Sequence, residues 1–226
     1  MKNDYTHISI VLDRSGSMSA IRDDTIGGFN EFLKRNQAAP GQCTLTLVQF
    51  DSTAVETLHD GKPIAAVPPL TQDTYQPRDS TPLYDAVGQT IVRTGDFLHH
   101  MAEFQRPSKV IFVIITDGME NASVKFNSAQ VRDMIKHQRE AYKWEFVFLG
   151  ANIDSYAVSQ SLNISAKNTM NYAANEAGTQ AMYHSLASNT VSLRCSTADS
   201  MAFNEADIDA QAVAGALPNP PKKKAK

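Results

Sequence analysis

An apolar run, Ile8-Ser9-Ile10-Val11-Leu12, ends in Asp13-Arg14-Ser15-Gly16-Ser17-Met18, and helical patterning begins at Met18. The run reads as a strand. Asp13, Ser15 and Ser17 therefore place a carboxylate and two hydroxyls at alternate positions of a strand-to-helix turn. Alternate residues of an extended chain point the same way, and Gly16 permits a tight path. Three hard oxygen donors converging beside helix-terminal amides suit a small divalent cation such as Mg²⁺. Taken alone, Asp-x-Ser-x-Ser is a weak signal, because Asp and Ser are ordinary turn and cap residues.

Around this turn the chain alternates strand and helix patterns. Residues 5–13 form the first predicted strand. Ile21, Thr25, Phe29, Phe32 and Leu33 share one helical face, which Ala39-Pro40-Gly41 ends. Gly27-Gly28 interrupts this helix at a cost in propensity, as expected where a helix packs closely on a sheet. Residues 43–50 alternate as a strand, and 53–58 return antiparallel as an edge strand. Residues 59–80 are Pro-rich and loop-like. Thr81 is an expected N-cap with Pro82 at the first helical position, followed by Leu83, Val87, Ile91, Thr94 and Leu98 at helical spacing. Residues 110–115 and 144–149 read as buried parallel strands. Between them lies a helix capped by Asn127 or Ser128. A short helix at 154–162, a short strand at 168–172 and a helix at 176–193 follow.

This order predicts an α/β fold: a doubly wound, Rossmann-like, mostly parallel six-stranded sheet with one antiparallel edge strand and helices on both faces. Residues 1–195 are expected to form one domain. Beyond Ser196 the patterning fades into an extension, 196–226, whose end from Leu217 to Lys226 reads as a disordered basic tail.

Ligands of such sheets bind beyond the C-terminal strand ends, where the strand order reverses. Two further loops are rich in oxygen-bearing side chains. One is Asp79-Ser80-Thr81-Pro82-Leu83-Tyr84-Asp85-Ala86; the other is Ile114-Ile115-Thr116-Asp117-Gly118-Met119-Glu120-Asn121. With Asp13-Arg14-Ser15-Gly16-Ser17-Met18, and in this order, they resemble the three motifs of the metal-ion-dependent adhesion site of the von Willebrand factor A family. The resemblance spans roughly residues 1–170. It implies a cation held by Asp13, Ser15, Ser17 and Thr81, with Asp117 binding directly or through water. Mg²⁺ is the implied ion; Mn²⁺ and Ca²⁺ accept the same donors. It also implies a protein partner that offers an Asp or Glu to the open position of the metal. Stand-alone bacterial and phage members of the family often work beside a MoxR-type AAA+ ATPase or in stress-response systems. Asp79 and Ser80 stand where the family frequently has glycine. Asp79 is expected to add charge behind the ligands, Glu120 and Asn121 to line the rim, and Arg14 to point away from the metal toward an acidic partner.

Other classes find less support. A net charge of -3 gives no reason to expect a nucleic-acid surface. No apolar run approaches the roughly 20 residues of a membrane helix. Two cysteines, Cys43 and Cys195, suggest no disulfide framework and are read as buried or inert thiols of a reducing, cytoplasmic compartment. The six histidines lack zinc-type spacing. The alternative function is a Mg²⁺-dependent phosphatase or phosphotransferase-like enzyme, with Asp13 as the phosphorylated group. The haloacid-dehalogenase-type pattern would place a second acid at position 15, where this chain has Ser15. The expectation is therefore a non-enzymatic binding module.

Overall fold

The computed structural model describes residues 1–217, and of Lys2 and Asn3 the backbone only. The expected basic tail, apart from Leu217, lies outside the described residues. Six strands, β1 (Lys2–Asp13), β2 (Gln42–Asp51), β3 (Ala54–Pro63), β4 (Pro107–Thr116), β5 (Glu145–Gly150) and β6 (Thr169–Asn171), form one sheet in the order β3-β2-β1-β4-β5-β6. All neighbouring strands are parallel except β3, which runs antiparallel to β2 at the edge. This is the expected doubly wound sheet. The edge hairpin extends further than the sequence suggests, to Pro63 rather than residue 58.

The strand period of two sorts the core into two layers. Ile8, Ile10 and Leu12 of β1, with Ile111, Val113 and Ile115 of β4, face α1 (Arg22–Ala38) and α5 (Glu176–Arg194). Val11, Phe112 and Ile114 face α2 (Leu83–His99) and α3 (Ser128–Tyr142). Because both strands are covered on both faces, β4 is apolar from Val110 to Ile115, whereas β1 carries the buried polar Thr6, His7 and Ser9 before its apolar run Ile10–Leu12. A shorter helix, α4 (Ser155–Ser161), connects β5 to β6.

Gly28 serves a different contact from the one expected. A Cβ there would lie 2.2 Å from Cδ2 of Tyr183, so the glycine lets α1 close on α5 rather than on the sheet. The faded region after Ser196 contains a helix, α6 (Glu205–Val213). It starts at a capping box in which Asn204 and Asp207 satisfy each other's amides. Its buried Gln211 bonds to the Ala173 amide and the Gly178 carbonyl, pinning α6 to the turn after β6. Met201 is buried in the same layer. Cys43 is buried and Cys195 exposed. Among the described residues no helix is long and apolar enough to cross a membrane.

Candidate functional site

Chain order reverses at the β1–β4 pair: β2 and β3 extend the sheet on one side, β4 to β6 on the other. The crevice beyond the C-terminal ends of these two strands is where such a sheet opens to a ligand. Asp13 ends β1, and Asp117 follows Thr116 at the end of β4.

Asp13 fixes the first loop. Its Oδ1 accepts the Ser15 amide at 2.7 Å, which folds the chain back as an Asx-type turn. A 3₁₀ turn, Gly16–Ile21, then precedes α1, so the helical patterning at Met18 begins as a tighter helix than expected. The hydroxyls of Ser15 and Ser17 lie 3.1 Å apart, and Ser17 Oγ donates to Asp117 Oδ1 at 2.5 Å. Asp13, Ser15, Ser17 and Asp117 thus form a continuous polar chain between the two strand ends.

Thr81 joins this chain across Gly118. A Cβ on Gly118 would lie 3.3 Å from Thr81 Oγ1 and 3.5 Å from Ser17 Oγ. Both hydroxyls therefore lie against the start of the third loop. The five candidate ligands therefore converge. Asp13, Ser15, Thr81 and Asp117 are each less than 5% exposed, and Ser17 opens the cluster to solvent.

Thr81 is not the N-cap. α2 begins at Leu83 behind Pro82, without a side-chain cap of its own. The third loop caps it instead. Glu120 Oε2 accepts the Tyr84 amide at 2.9 Å, and Ser123 Oγ accepts the Asp85 amide at 3.0 Å. Thr81 donates its amide to Asn121 Oδ1 at 2.9 Å and accepts the Asn121 amide at 3.1 Å. Glu120 and Asn121 act as ties between loops as well as standing at the rim. This frees the Thr81 hydroxyl from helix capping.

Arg14 also differs from expectation. It points away from the carboxylates, but it is buried and meets acids of its own chain, Asp51 and Glu56. Asp79 contributes its backbone: its carbonyl accepts the Gly16 amide at 2.9 Å, and its φ of 61° is left-handed.

Two residues support Asp13 without having been singled out in the sequence. Thr116 Oγ1 donates to Asp13 Oδ2 at 2.5 Å, and the buried Tyr75 hydroxyl donates to the Asp13 carbonyl at 2.7 Å. Thr116 stands inside the quoted third motif and one residue before an expected ligand. Tyr75 lies in a Pro-rich loop, and no local pattern marks it.

The electrostatics of the cluster are one-sided. Burial pushes the Asp13 carboxyl up to about 6, with Asp117 adding to the rise, against hydrogen bonds from Thr116 and Ser15. Burial likewise raises Asp117, against its bond from Ser17. Among the described residues neither carboxylate has an ion-pair partner. Nor do the described residues gather three or more His, Cys, Asp or Glu into one metal-type group. The cluster is two carboxylates and three hydroxyls, oxygen donors throughout.

Neither a protein-family model nor a curated protein matches the sequence. The fold does match solved structures. It resembles proximal thread matrix protein 1 from the mussel byssus, with a TM-score of 0.56 and 12% identity, covering 84% of this chain and 47% of that one. It resembles a von Willebrand factor type A structure from Catenulispora acidiphila, with a TM-score of 0.54 and 11% identity, covering 84% and 43%. It also resembles the pilus adhesin SpaC of Lactobacillus rhamnosus GG in an open conformation, with a TM-score of 0.57 and 15% identity, covering 84% and 30%. In each case the match spans less than half of the other chain.

Proposed function

We propose that this chain is a protein-interaction module whose Asp13, Ser15, Ser17, Thr81 and Asp117 hold a hard divalent cation, Mg²⁺ ahead of Mn²⁺ or Ca²⁺. The observation that carries the reading is a pair of buried carboxylates beside three hydroxyls, with no ion-pair partner among the described residues. Burying a charge without a partner is costly, and the raised Asp13 and Asp117 carboxyls express that cost. An oxygen-only donor set of this kind fits Mg²⁺, which takes few carboxylates and leaves positions for other oxygens. The likeness to a von Willebrand factor type A structure and to an adhesin supports an interaction role for the fold.

When bound, the cation supplies a Lewis-acidic position that a partner's carboxylate can neutralise. The protein's own residues do the rest. Thr116 and the Ser15 amide orient the Asp13 carboxylate, Tyr75 holds its backbone, and Gly118 lies between the Thr81 and Ser17 hydroxyls. We read the site as non-catalytic. Position 15, where the phosphatase reading would place a second acid, carries the buried hydroxyl residue Ser15.

Calorimetric titration with Mg²⁺ tests the cation site. Wild type is expected to bind one equivalent, with Asp13→Ala and Thr81→Ala weakened or silent. Equal heats for wild type and Asp13→Ala would overturn the assignment. Affinity capture from host lysate in Mg²⁺, in EDTA, and with Asp13→Ala then tests the interaction role.

A further inference from the structure

The third loop is rigidly built yet presents apolar side chains to solvent. Glu120 Oε1 accepts the amides of Ala122 at 2.8 Å and Ser123 at 2.7 Å, while Oε2 accepts Tyr84 N and Ser123 Oγ. Asp85 accepts the amides of Val124, Lys125 and Phe126 at 3.0, 2.8 and 2.7 Å. Phe126 then packs against Gly88 of α2, where a Cβ would lie only 2.6 Å from the ring. Two carboxylates and a ring thus fix the loop to α2. The exposure of Met119 (69%) and Val124 (88%) on this loop is therefore a feature of an ordered surface. Single exposed apolar side chains are ordinary; what distinguishes Met119 is the cleft that it lines beside the polar cluster.

Met119 stands over a cleft of about 130 Å³ walled by Leu83, Tyr84, Gly118, Ile153 and Val158. Leu83 and Ile153 are buried beneath it. Glu120 also borders the cleft, but its carboxylate is saturated by the four donors just named, so the lining behaves as apolar. An apolar cavity of roughly 150 Å³ accepts a molecule the size of benzene; this one suits a single aliphatic side chain. Larger grooves lie between β3 and α2 and between α1 and α5, but no candidate ligand lies in their walls. The small cleft shares Gly118 with the cation site, the residue over which Thr81 and Ser17 converge.

We propose that the partner is a peptide segment carrying an acidic residue with an aliphatic or methionine side chain a few residues away. The carboxylate goes to the cation site, and the apolar side chain goes to the cleft under Met119. The inference rests on the metal-bridged reading and adds its recognition element. A lone carboxylate offers no discrimination among acidic surfaces, whereas a second, apolar contact at fixed separation does. Charge at one end and a mostly apolar cleft at the other define the chemistry of the ligand.

The test is selection of a randomised peptide library on the full chain in Mg²⁺, with elution by EDTA, run in parallel on wild type, Asp13→Ala and Met119→Asp. Wild type is expected to enrich peptides with Asp or Glu and with Leu, Ile, Val or Met at a constant offset. Replacing that aliphatic residue by Ser in a selected peptide is expected to weaken Mg²⁺-dependent binding about tenfold, the scale of burying one such side chain. Met119→Asp, a change at an exposed position, is expected to lose the aliphatic preference, and Asp13→Ala to lose EDTA-sensitive enrichment. Acidic peptides without a positional aliphatic preference, or a preference unchanged by Met119→Asp, would overturn this inference and leave the cation-bridging role standing. No EDTA-sensitive enrichment in wild type would overturn both.

Discussion

Asp51 Oδ2 accepts Nε of Arg14 at 2.9 Å, and the same oxygen accepts Nε of Arg78 at 2.9 Å. Arg14 sits between two candidate ligands of the first loop, and Arg78 three residues before Thr81 of the second. One fully buried carboxylate at the end of β2 thus ties together the two loops that bring the hydroxyls. The backbone repeats the tie, since the Arg78 amide donates to the Arg14 carbonyl at 2.9 Å. Burial alone would raise the Asp51 carboxyl. The Thr53 hydroxyl, Arg78, the Thr53 amide and Arg14 outweigh it and hold the group at about 2.

Asp51→Asn should therefore cost about 3 kcal/mol of stability, because it leaves a buried guanidinium short of its partner. Ligands lose affinity when their supporting contacts loosen, and Mg²⁺ binding should weaken about tenfold. Urea denaturation at neutral pH and a Mg²⁺ titration read the two effects separately. Unchanged Mg²⁺ affinity alongside lost stability would confine Asp51 to the fold.

Asp13→Asn should act in opposite directions with and without metal. In EDTA at pH 7 the buried charge is a burden. The folded-state pKa of about 6 lies above the ordinary value, so protonation favours the folded protein as pH falls through 6. Removing the charge should then stabilise the metal-free protein by about 3 kcal/mol, an advantage that shrinks toward pH 4. In saturating Mg²⁺ wild type gains binding free energy, about 4.1 kcal/mol at a thousand times its Kd, and the variant should gain none. Melting curves in both buffers check the sign reversal. A variant that is less stable in EDTA would contradict it.

How much of this was legible in advance follows the range of the interactions. The five ligands of the candidate site stand in short motifs; the first and third each end a strand that its own apolar run announces, and the second leads into a helix with clear apolar periodicity. Their spacing carries enough local information to bring them together. Arg14 was misread because alternation gives a side chain's direction but not its partner, and Asp51 and Glu56 lie 37 and 42 residues away. Thr81 looks like a cap from its neighbour Pro82, yet the capping groups, Glu120 and Ser123, come from another loop. Tyr75 had no local signal at all. α6 did carry one, the Asn204–Asp207 box, but its nine residues offer too little apolar periodicity to be recognised.

His7 gives the fold an acid-sensitive point away from the site. It is fully buried on β1, with Nδ1 2.9 Å from Thr44 Oγ1 and Nε2 3.1 Å from Ser9 Oγ. Burial lowers its pKa to about 3. The unfolded chain therefore binds a proton here below the ordinary value of 6.5, which the folded chain refuses until about pH 3. Stability should fall by about 1.4 kcal/mol per pH unit across that window from this group alone. His7→Gln can keep a bond to Thr44 or Ser9 and removes the titration. Its stability measured between pH 6 and pH 4 should decline less steeply than that of wild type by about one proton. Parallel slopes would show that His7 is not the responsible group.

Gly27 and Gly28 are adjacent in α1, and substituting them should have opposite effects. Ala is favoured over Gly in a helix interior by up to about 1 kcal/mol. Nothing lies within 4 Å of a Cβ added at Gly27, so Gly27→Ala should be stabilising by a few tenths to about 1 kcal/mol. At Gly28 the added carbon meets Cδ2, Cγ and Cε2 of Tyr183 at 2.2, 2.9 and 3.0 Å. That ring is buried between the two helices, and the contacts fall near its root, at Cγ and Cδ2, where it has least freedom to move aside. The helix gain is then outweighed by overpacking, and Gly28→Ala should be net destabilising by about 1–3 kcal/mol. Chemical denaturation of the two single variants decides the matter. Equal effects would mean that the α1–α5 contact is looser than the Tyr183 ring implies, and opposite signs would establish that one glycine sets how closely these helices approach.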